Sequence, residues 1–192
     1  MKTKSWMLVT AFFIVSMTSA CALVDDAGAK ESASLPETLR ATIKEMHPGM
    51  RAIESGDVDS QSCGSFGSDH PGWVADDFTG NGRKDYAVLL VSMLPKEKKT
   101  FGGKEYPEHD FLLVMYVAQS NGRFKEIVLD KREDLLPTNK GVKLHKQTTV
   151  YDLDANRKVP LRHLGMMFYS CEQFAWVYHW DGAQFSSIVV SH

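Results

Sequence analysis

One segment of the sequence brings together the residue types that bind a hard cation. Residues 77–85 read Asp-Phe-Thr-Gly-Asn-Gly-Arg-Lys-Asp, with oxygen-bearing side chains at relative positions 1, 3, 5 and 9 and a glycine at position 6. A calcium loop places oxygen ligands around a sharp turn in this way, with a backbone carbonyl at position 7. The pattern predicts a weak Ca²⁺ site whose ligands come from Asp77, Thr79, Asn81, Arg83 and Asp85.

The same segment also fits a glycine-rich turn that holds no ion. Position 12 is Val88, where a calcium loop has a bidentate glutamate, and only Asp77 and Asp85 bring charge to the ligand set. Carboxylates in a tight turn can instead accept hydrogen bonds from backbone N–H groups. The sequence supports both interpretations.

The loop runs directly into an apolar segment, and the two together resemble a known repeat. Residues 75–90 read ADDFTGNGRKDYAVLL. This run is similar to the Asp-rich loop and following strand of FG-GAP and VCBS-type repeats. The resemblance covers less than a tenth of the chain; it implies a β-sheet scaffold compatible with Ca²⁺, and it implies no activity.

Hydrophobic spacing predicts one helix near the start of the folded domain. Leu39, Ile43 and Met46 recur at helical intervals, which predicts a helix over Pro36–Met46. Ser34 and Glu37 have the spacing of a capping box at its start. The sequence His-Pro-Gly at 47–49 is expected to end the helix.

The rest of the chain has the spacing of β-strands. Residues 86–91 and 111–117 are short, nearly continuous apolar runs, typical of strands covered on both faces. Residues 174–180 alternate, and the Asn-Gly and Asp-Gly pairs at 121–122 and 181–182 predict hairpin turns. The charged stretch 94–110 is expected to be a surface loop. The fold class is therefore mainly β (α+β), an antiparallel meander sheet or a partial-propeller-like domain with one N-terminal helix.

Two further patterns concern the same strands. Residues 121–129 and 181–190 share a turn glycine, a phenylalanine and an Ile-Val pair, which is a weak internal repeat. The last predicted strand carries an aromatic row, made of Phe174, Trp176, Tyr178 and Trp180. The alternation favours a core position for this row; the other interpretation is a platform that stacks sugar rings or the side chains of a partner.

The first residues have the features of a signal peptide. A basic start is followed by an uncharged apolar run at 6–17 and by small residues at 18–22. We expect a signal peptide at 1–20, with cleavage after 22 as the alternative, a polar linker at 21–34 and one β-rich domain at 35–192. Cys21 is a possible lipidation site. The protein is then exported and is periplasmic, anchored to the outer membrane through Cys21, or extracellular.

Cysteine usage fits such a compartment. Once Cys21 is removed or lipidated, Cys63 and Cys171 remain in the mature chain. Two cysteines in an exported protein most simply form one disulfide. Buried free thiols and a catalytic thiol are the other interpretations.

Composition and missing motifs narrow the functional classes. A formal charge of -2 over 192 residues excludes a strongly basic nucleic-acid binder. The sequence lacks the phosphate-binding, nucleophile-elbow and HExxH motifs. The favoured function is a non-enzymatic binding module for a protein or glycan partner in the envelope. The alternatives are a small exported hydrolase with a carboxylate-based site and a structural lipoprotein.

Overall fold

The computed structural model describes residues 34–59, 70–171 and 173–191. The expected signal peptide, the linker before residue 34, Cys21 and Cys63 lie outside these residues. The described part is mainly β, with one helix and antiparallel sheets, which confirms the predicted fold class. No helix in it is long and apolar enough to cross a membrane.

Helix α1 spans Glu37–Met46 and buries a narrow stripe made of Leu39 and Ile43. Its N-cap is Pro36, which makes no side-chain capping bond. The predicted capping box is therefore wrong: because Pro36 is the N-cap, Ser34 and Glu37 are not at the two positions that a box requires. The helix ends as predicted at His47, whose N–H donates to the carbonyl of Ile43.

Twelve strands follow within the described residues. They are β1 (Met50–Ala52), β2 (Trp73–Asp76), β3 (Asp85–Ser92), β4 (Lys98–Phe101), β5 (Lys104–Ala118), β6 (Phe124–Leu135), β7 (Lys140–His145), β8 (Thr149–Asp152), β9 (Arg157–Pro160), β10 (Gly165–Ser170), β11 (Phe174–Trp180) and β12 (Phe185–Ser191). A 3₁₀ turn, Ser55–Asp57, follows β1.

The strands form two main antiparallel sheets and one hairpin. In the first sheet β3 pairs with β1 and β2 on one side and with β5 on the other, and β5 also pairs with β4 and β6. The second sheet has the order β12-β11-β10-β7, and β8 pairs with β9 separately. The consecutive strands β10, β11 and β12 form a meander, whereas β7 reaches the second sheet from an earlier part of the chain.

The core lies in layers on both faces of the first sheet. Ala87, Leu89 and Val91 of β3 face the second sheet, whereas Val88 and Leu90 pack under α1. This explains why the apolar run in β3 is continuous, as expected for a strand covered on both faces. A smaller cluster packs the β8–β9 hairpin against the other face of the second sheet.

The prediction of a surface loop at 94–110 is wrong. Most of it forms the β4–β5 hairpin, with Gly102 and Gly103 at the turn with positive φ angles of 57° and 77°. All four residues of β4 are exposed. Because this arm meets solvent, its strands carry charged residues without a regular apolar alternation, and the sequence therefore looks like a loop.

The weak internal repeat corresponds to two hairpins. The Asn-Gly pair at 121–122 joins β5 to β6, and the Asp-Gly pair at 181–182 joins β11 to β12. An Asn-Gly or Asp-Gly pair is typical of a type I′ turn, in which both residues have positive φ. Here only the glycines do, with φ of 77° at Gly122 and 111° at Gly182, so neither turn is of that type. The repeated strands, β6 and β12, belong to different sheets.

Candidate functional site

The loop from Asp77 to Asp85 is held by hydrogen bonds to its own backbone. The Asp77 carboxylate accepts from the N–H of Asn81 at 2.9 Å and from that of Gly82 at 2.8 Å. The side-chain oxygen of Asn81 accepts from the N–H of Arg83 at 2.8 Å. These contacts are those of the ion-free turn.

Asp85 closes the loop from inside the protein. Its side chain is fully buried; Oδ2 accepts from the N–H of Thr79 at 3.1 Å and from its hydroxyl at 2.8 Å. Oδ1 accepts from the N–H of Ala118 at 2.9 Å. Burial raises the pKa of Asp85 above its ordinary value, although these hydrogen bonds oppose the rise. Asp85 therefore fastens the loop to the end of β5.

The hydrogen bonds leave limited capacity for an ion. Each carboxylate oxygen has two lone pairs, so both oxygens of Asp77 and Oδ1 of Asp85 keep one for a cation. Oδ2 of Asp85 already accepts two hydrogen bonds. No group of three or more His, Cys, Asp or Glu side chains with a metal-site arrangement occurs in the described residues. The Ca²⁺ site, which also uses Thr79, Asn81 and Arg83, stays a prediction.

The aromatic row of β11 lies on the face that meets the first sheet. Phe174, Trp176 and Tyr178 pack against the central core, which agrees with the predicted core position. The ring of Trp176 stacks on that of Phe168, with centroids 5.8 Å apart and planes at 9°. The rings of the row are nevertheless only half-buried. The row is thus both a core wall and an accessible surface.

A β-bulge in β6 determines what faces this row. Leu113 pairs with Asp130 and Val114 with Val128, so Leu129 is an extra residue without a partner in β5. A bulge shifts the alternation of side chains by one position. Leu129 and Arg132, three residues apart, therefore share the inner face, which a regular strand does not allow.

Arg132 lies on the aromatic rings as a result. Its guanidinium carbon is 4.7 Å from the ring centroid of Phe168, 5.1 Å from that of Trp176 and 5.6 Å from that of Phe174. The guanidinium also forms an ion pair with Asp130. Arg132 was not among the predicted site residues, because the bulge that places it on the inner face has no clear signature in the sequence.

Two clefts flank this stack, one towards each end of the row. The Trp180 cleft, of about 430 Å³, lies between β6 and β11–β12 and is lined by Lys125, Ile127, Val128, Leu129, Tyr178, Trp180, Ala183, Gln184, Phe185 and Ser187. The Arg132 cleft, of about 480 Å³, is lined by Asp59, Phe101, Tyr106, Arg132, Glu133, Asp134, Leu135, Pro137, Thr138, Asn139, Lys140, Gln173 and Phe174. We call the two clefts and the row between them the aromatic groove.

Several charged residues of the groove have an ion-pair partner in the groove or beside it. Lys140 is buried and forms an ion pair with Asp134, and Lys96 pairs with Glu133. Burial and the negative charge of Asp130 raise the pKa of Tyr178 to about 12. The groove therefore offers many donors and acceptors without a strong excess of either charge.

Cys171 is buried beside Tyr169 and Ala175. Its predicted partner, Cys63, lies outside the described residues, so the disulfide stays a prediction.

No protein-family model, curated protein or solved structure matches this chain. A function is therefore inferred from the geometry alone, and the resemblance of residues 75–90 to FG-GAP repeats also stays a prediction.

Proposed function

We propose that the chain is an exported envelope protein that acts as a non-enzymatic binding module, and that the aromatic groove binds a glycan. The observation that carries the proposal is the half-buried row of Phe174, Trp176, Tyr178 and Trp180, with a cleft at each end. Four alternate residues of a strand span about 20 Å, at about 3.3 Å per residue. A sugar ring in either cleft would lie against an end of the row, beside Phe174 in one cleft and beside Tyr178 and Trp180 in the other.

The chemistry of the groove suits a neutral, hydroxylated ligand. Aromatic rings present flat apolar faces, and binding sites combine such faces with a few well-placed polar groups. Arg132, Asp134, Asn139 and Gln173 supply donors and acceptors in the Arg132 cleft. A sugar ring has an apolar C–H face and hydroxyls that both donate and accept. Paired charges recognise such hydroxyls without requiring a charged ligand.

A protein partner fits the groove less well. A stable protein–protein interface buries about 800 Å² on each partner around an apolar centre. The two clefts are concave, and each has a volume in the range of about 300–1,000 Å³ that is usual for small-ligand sites. The shape therefore favours a chain of rings over a flat protein surface.

The carboxylates of the groove do not favour the hydrolase alternative. A glycoside hydrolase needs two carboxyl groups facing the ligand, one of them available as an acid. In the Arg132 cleft Asp134 is paired with Lys140 and Glu133 with Lys96. Among the described residues the carboxyl with a raised pKa is Asp85, which is fully buried in its turn. These contacts support binding without catalysis.

A glycan array tests the proposed function. The mature chain and the variants Trp180→Ala and Tyr151→Ala would be applied to oligosaccharides of one to six units. Tyr151 is 47% exposed on β8, away from the groove, and is the matched control. We expect Trp180→Ala to weaken binding at least about tenfold, equivalent to about 1.4 kcal/mol, and Tyr151→Ala to bind as the wild type does. Equal losses of binding in the two variants, or no binding of any glycan, would contradict the proposal. If no glycan binds, envelope proteins that the wild type captures and Trp180→Ala does not would identify a protein partner.

Export is supported by the basic start and the apolar run at 6–17, and lipidation of Cys21 is the route to a membrane that the sequence offers. Radioactive palmitate and the mass of the mature N-terminus distinguish the two forms. Label that disappears in Cys21→Ser would identify a lipoprotein. An unlabelled chain that begins after residue 20 or 22 would identify a freely released protein.

A further inference from the structure

A cavity of about 690 Å³ lies between α1 and β1, apart from the aromatic groove. Its wall is largely apolar, and the apolar residues that line it are Leu35, Ile43, Met50, Ala52, Ile53, Trp73 and Met93. The volume is within the usual range of about 300–1,000 Å³ for small-molecule sites. This cavity has both the size and the lining to hold an apolar group.

The packing of α1 explains why the cavity exists. The helix buries only Leu39 and Ile43, which are four residues apart and form one narrow stripe. The neighbouring strand β1 has only three residues. A narrow helical stripe above a short strand leaves the flank of the helix uncovered, and the space beside it remains open.

The charged residues around this cavity are mainly cationic. Arg40, Lys44 and Arg51 line it, against the single acidic residue Glu54. Arg40 is paired with Glu37, and Arg51 with Asp57 at 2.5 Å. Within residues 34–59, 70–171 and 173–191, Lys44 forms no ion pair. A positive charge is therefore available beside an apolar space.

Apolar side chains are also exposed close to the cavity. Met93, which lines it, is 55% exposed, and Leu94 next to it is 81% exposed. Met46, at the end of α1, is 47% exposed. A hydrocarbon chain would thus contact apolar residues within the cavity and also at its entrance.

We infer that this cavity binds an amphiphilic anion, an alkyl chain that ends in a carboxylate or a phosphate. The alkyl chain occupies the space between Ile43, Ala52 and Trp73, and the anionic head lies beside Lys44. The charge selects an anion, and the lining selects a hydrocarbon. The inference is independent of the glycan proposal, because the two sites share no lining residue.

The first test compares probes of equal length and different charge. Binding of laurate and of dodecanol to the full mature chain is measured by calorimetry. We expect laurate to bind one to one, dodecanol at least about tenfold more weakly, and decanoate weaker than laurate by about fourfold for each methylene removed. Equal binding of laurate and dodecanol, or no binding of laurate, would overturn the inference.

Variants locate the site. Lys44→Gln is expected to weaken laurate about tenfold without affecting dodecanol, whereas Lys158→Gln, a change at an exposed lysine of β9, should leave both unchanged. Ala52→Trp fills the cavity and is expected to abolish laurate binding. A urea-unfolding transition like that of the wild type shows that the variant folds, whether or not the groove binds a glycan. Wild-type laurate affinity in Ala52→Trp would refute this location.

Vesicles then distinguish the source of the anion. Phosphatidylglycerol and phosphatidylcholine vesicles are sedimented with the wild type and with Lys44→Gln. Sedimentation with phosphatidylglycerol alone, reduced in Lys44→Gln, would identify a membrane lipid as the ligand. Laurate binding without sedimentation would identify a free fatty acid. Sedimentation that is equal with both lipids and in both proteins would contradict a site that selects an anion.

Discussion

The guanidinium carbon of Arg132 lies 4.7 Å from the ring centroid of Phe168, across the space between the two sheets. An arginine on edge strand β6 thereby contacts the central strands of the other sheet. The contact exists because the bulge at Leu129 shifts the side-chain alternation of β6. If β6 paired regularly beyond Val128, with Leu129 opposite Leu113, Arg132 would lie opposite Asp110 and face the other side of the sheet. The aromatic row would then lack its only cation–π partner among the described residues.

Replacing Arg132 tests the energy of this stack. Arg132→Gln is expected to lower the free energy of unfolding by about 1–2 kcal/mol, because a partly desolvated cation–π contact is lost and Asp130 loses its ion pair. Arg132→Lys should recover only part of this loss, since an ammonium cannot stack in the same way. Urea unfolding measures both. Arg157→Gln, at an exposed arginine of β9, is the control, and a loss of the same size there would remove the special role of Arg132.

The strands that the sequence identified correctly are those with the simplest physical pattern. The apolar runs of β3 and β5 are covered on both faces, and the alternating run of β11 begins at Phe174 and ends at Trp180, as predicted. Burial imposes these patterns directly on the residue types. The β4–β5 arm is surrounded by solvent, so burial imposes no apolar pattern on its residues. For that reason its sequence predicts a loop.

Melting curves at rising calcium test the loop at 77–85. If the predicted site binds Ca²⁺ with the affinity of weak extracellular sites, about 10⁻⁴–10⁻³ M, calcium at ten times the dissociation constant stabilises the fold by about 1.4 kcal/mol. Asp77→Ala and Asp85→Ala are expected to lose this gain, and magnesium at equal concentration corrects for ionic strength. An unchanged wild-type melting temperature, or equal shifts in wild type and both variants, would show that the loop is an ion-free turn.

Tyr178 is expected to make the protein sensitive to alkali. Its pKa is raised to about 12, first by burial and then by the charge of Asp130. An unfolded tyrosine has a pKa of about 10. The folded state therefore binds this proton more tightly, and the stabilisation is complete below pH 10 and is lost as the pH rises to about 12. Tyrosinate absorbance should show an ionisation near pH 12 that disappears in Tyr178→Phe; an unchanged titration would contradict the assignment.

The candidate site was less predictable than the strands, for a physical reason. The row from Phe174 to Trp180 was visible because its residues stand on one strand at alternate positions. Its partners come from elsewhere in the chain: Arg132 through a bulge in β6, and Asn139 from the residue just before β7. A groove between two sheets depends on how distant segments pack, and that relationship is not encoded in local spacing.

The predicted bond between Cys63 and Cys171 is testable by alkylation and by stability. Without reducing agent, mass spectrometry of the unfolded mature domain should show neither cysteine alkylated, and after reduction both should react. The bond closes a loop of about 108 residues, for which the chain-entropy model gives about 4–5 kcal/mol of stabilisation. Reduction should therefore lower the stability of the wild type to that of Cys63→Ser, a variant that reduction leaves unchanged. Two alkylated thiols in the unreduced protein would show that the two cysteines are not bonded to each other.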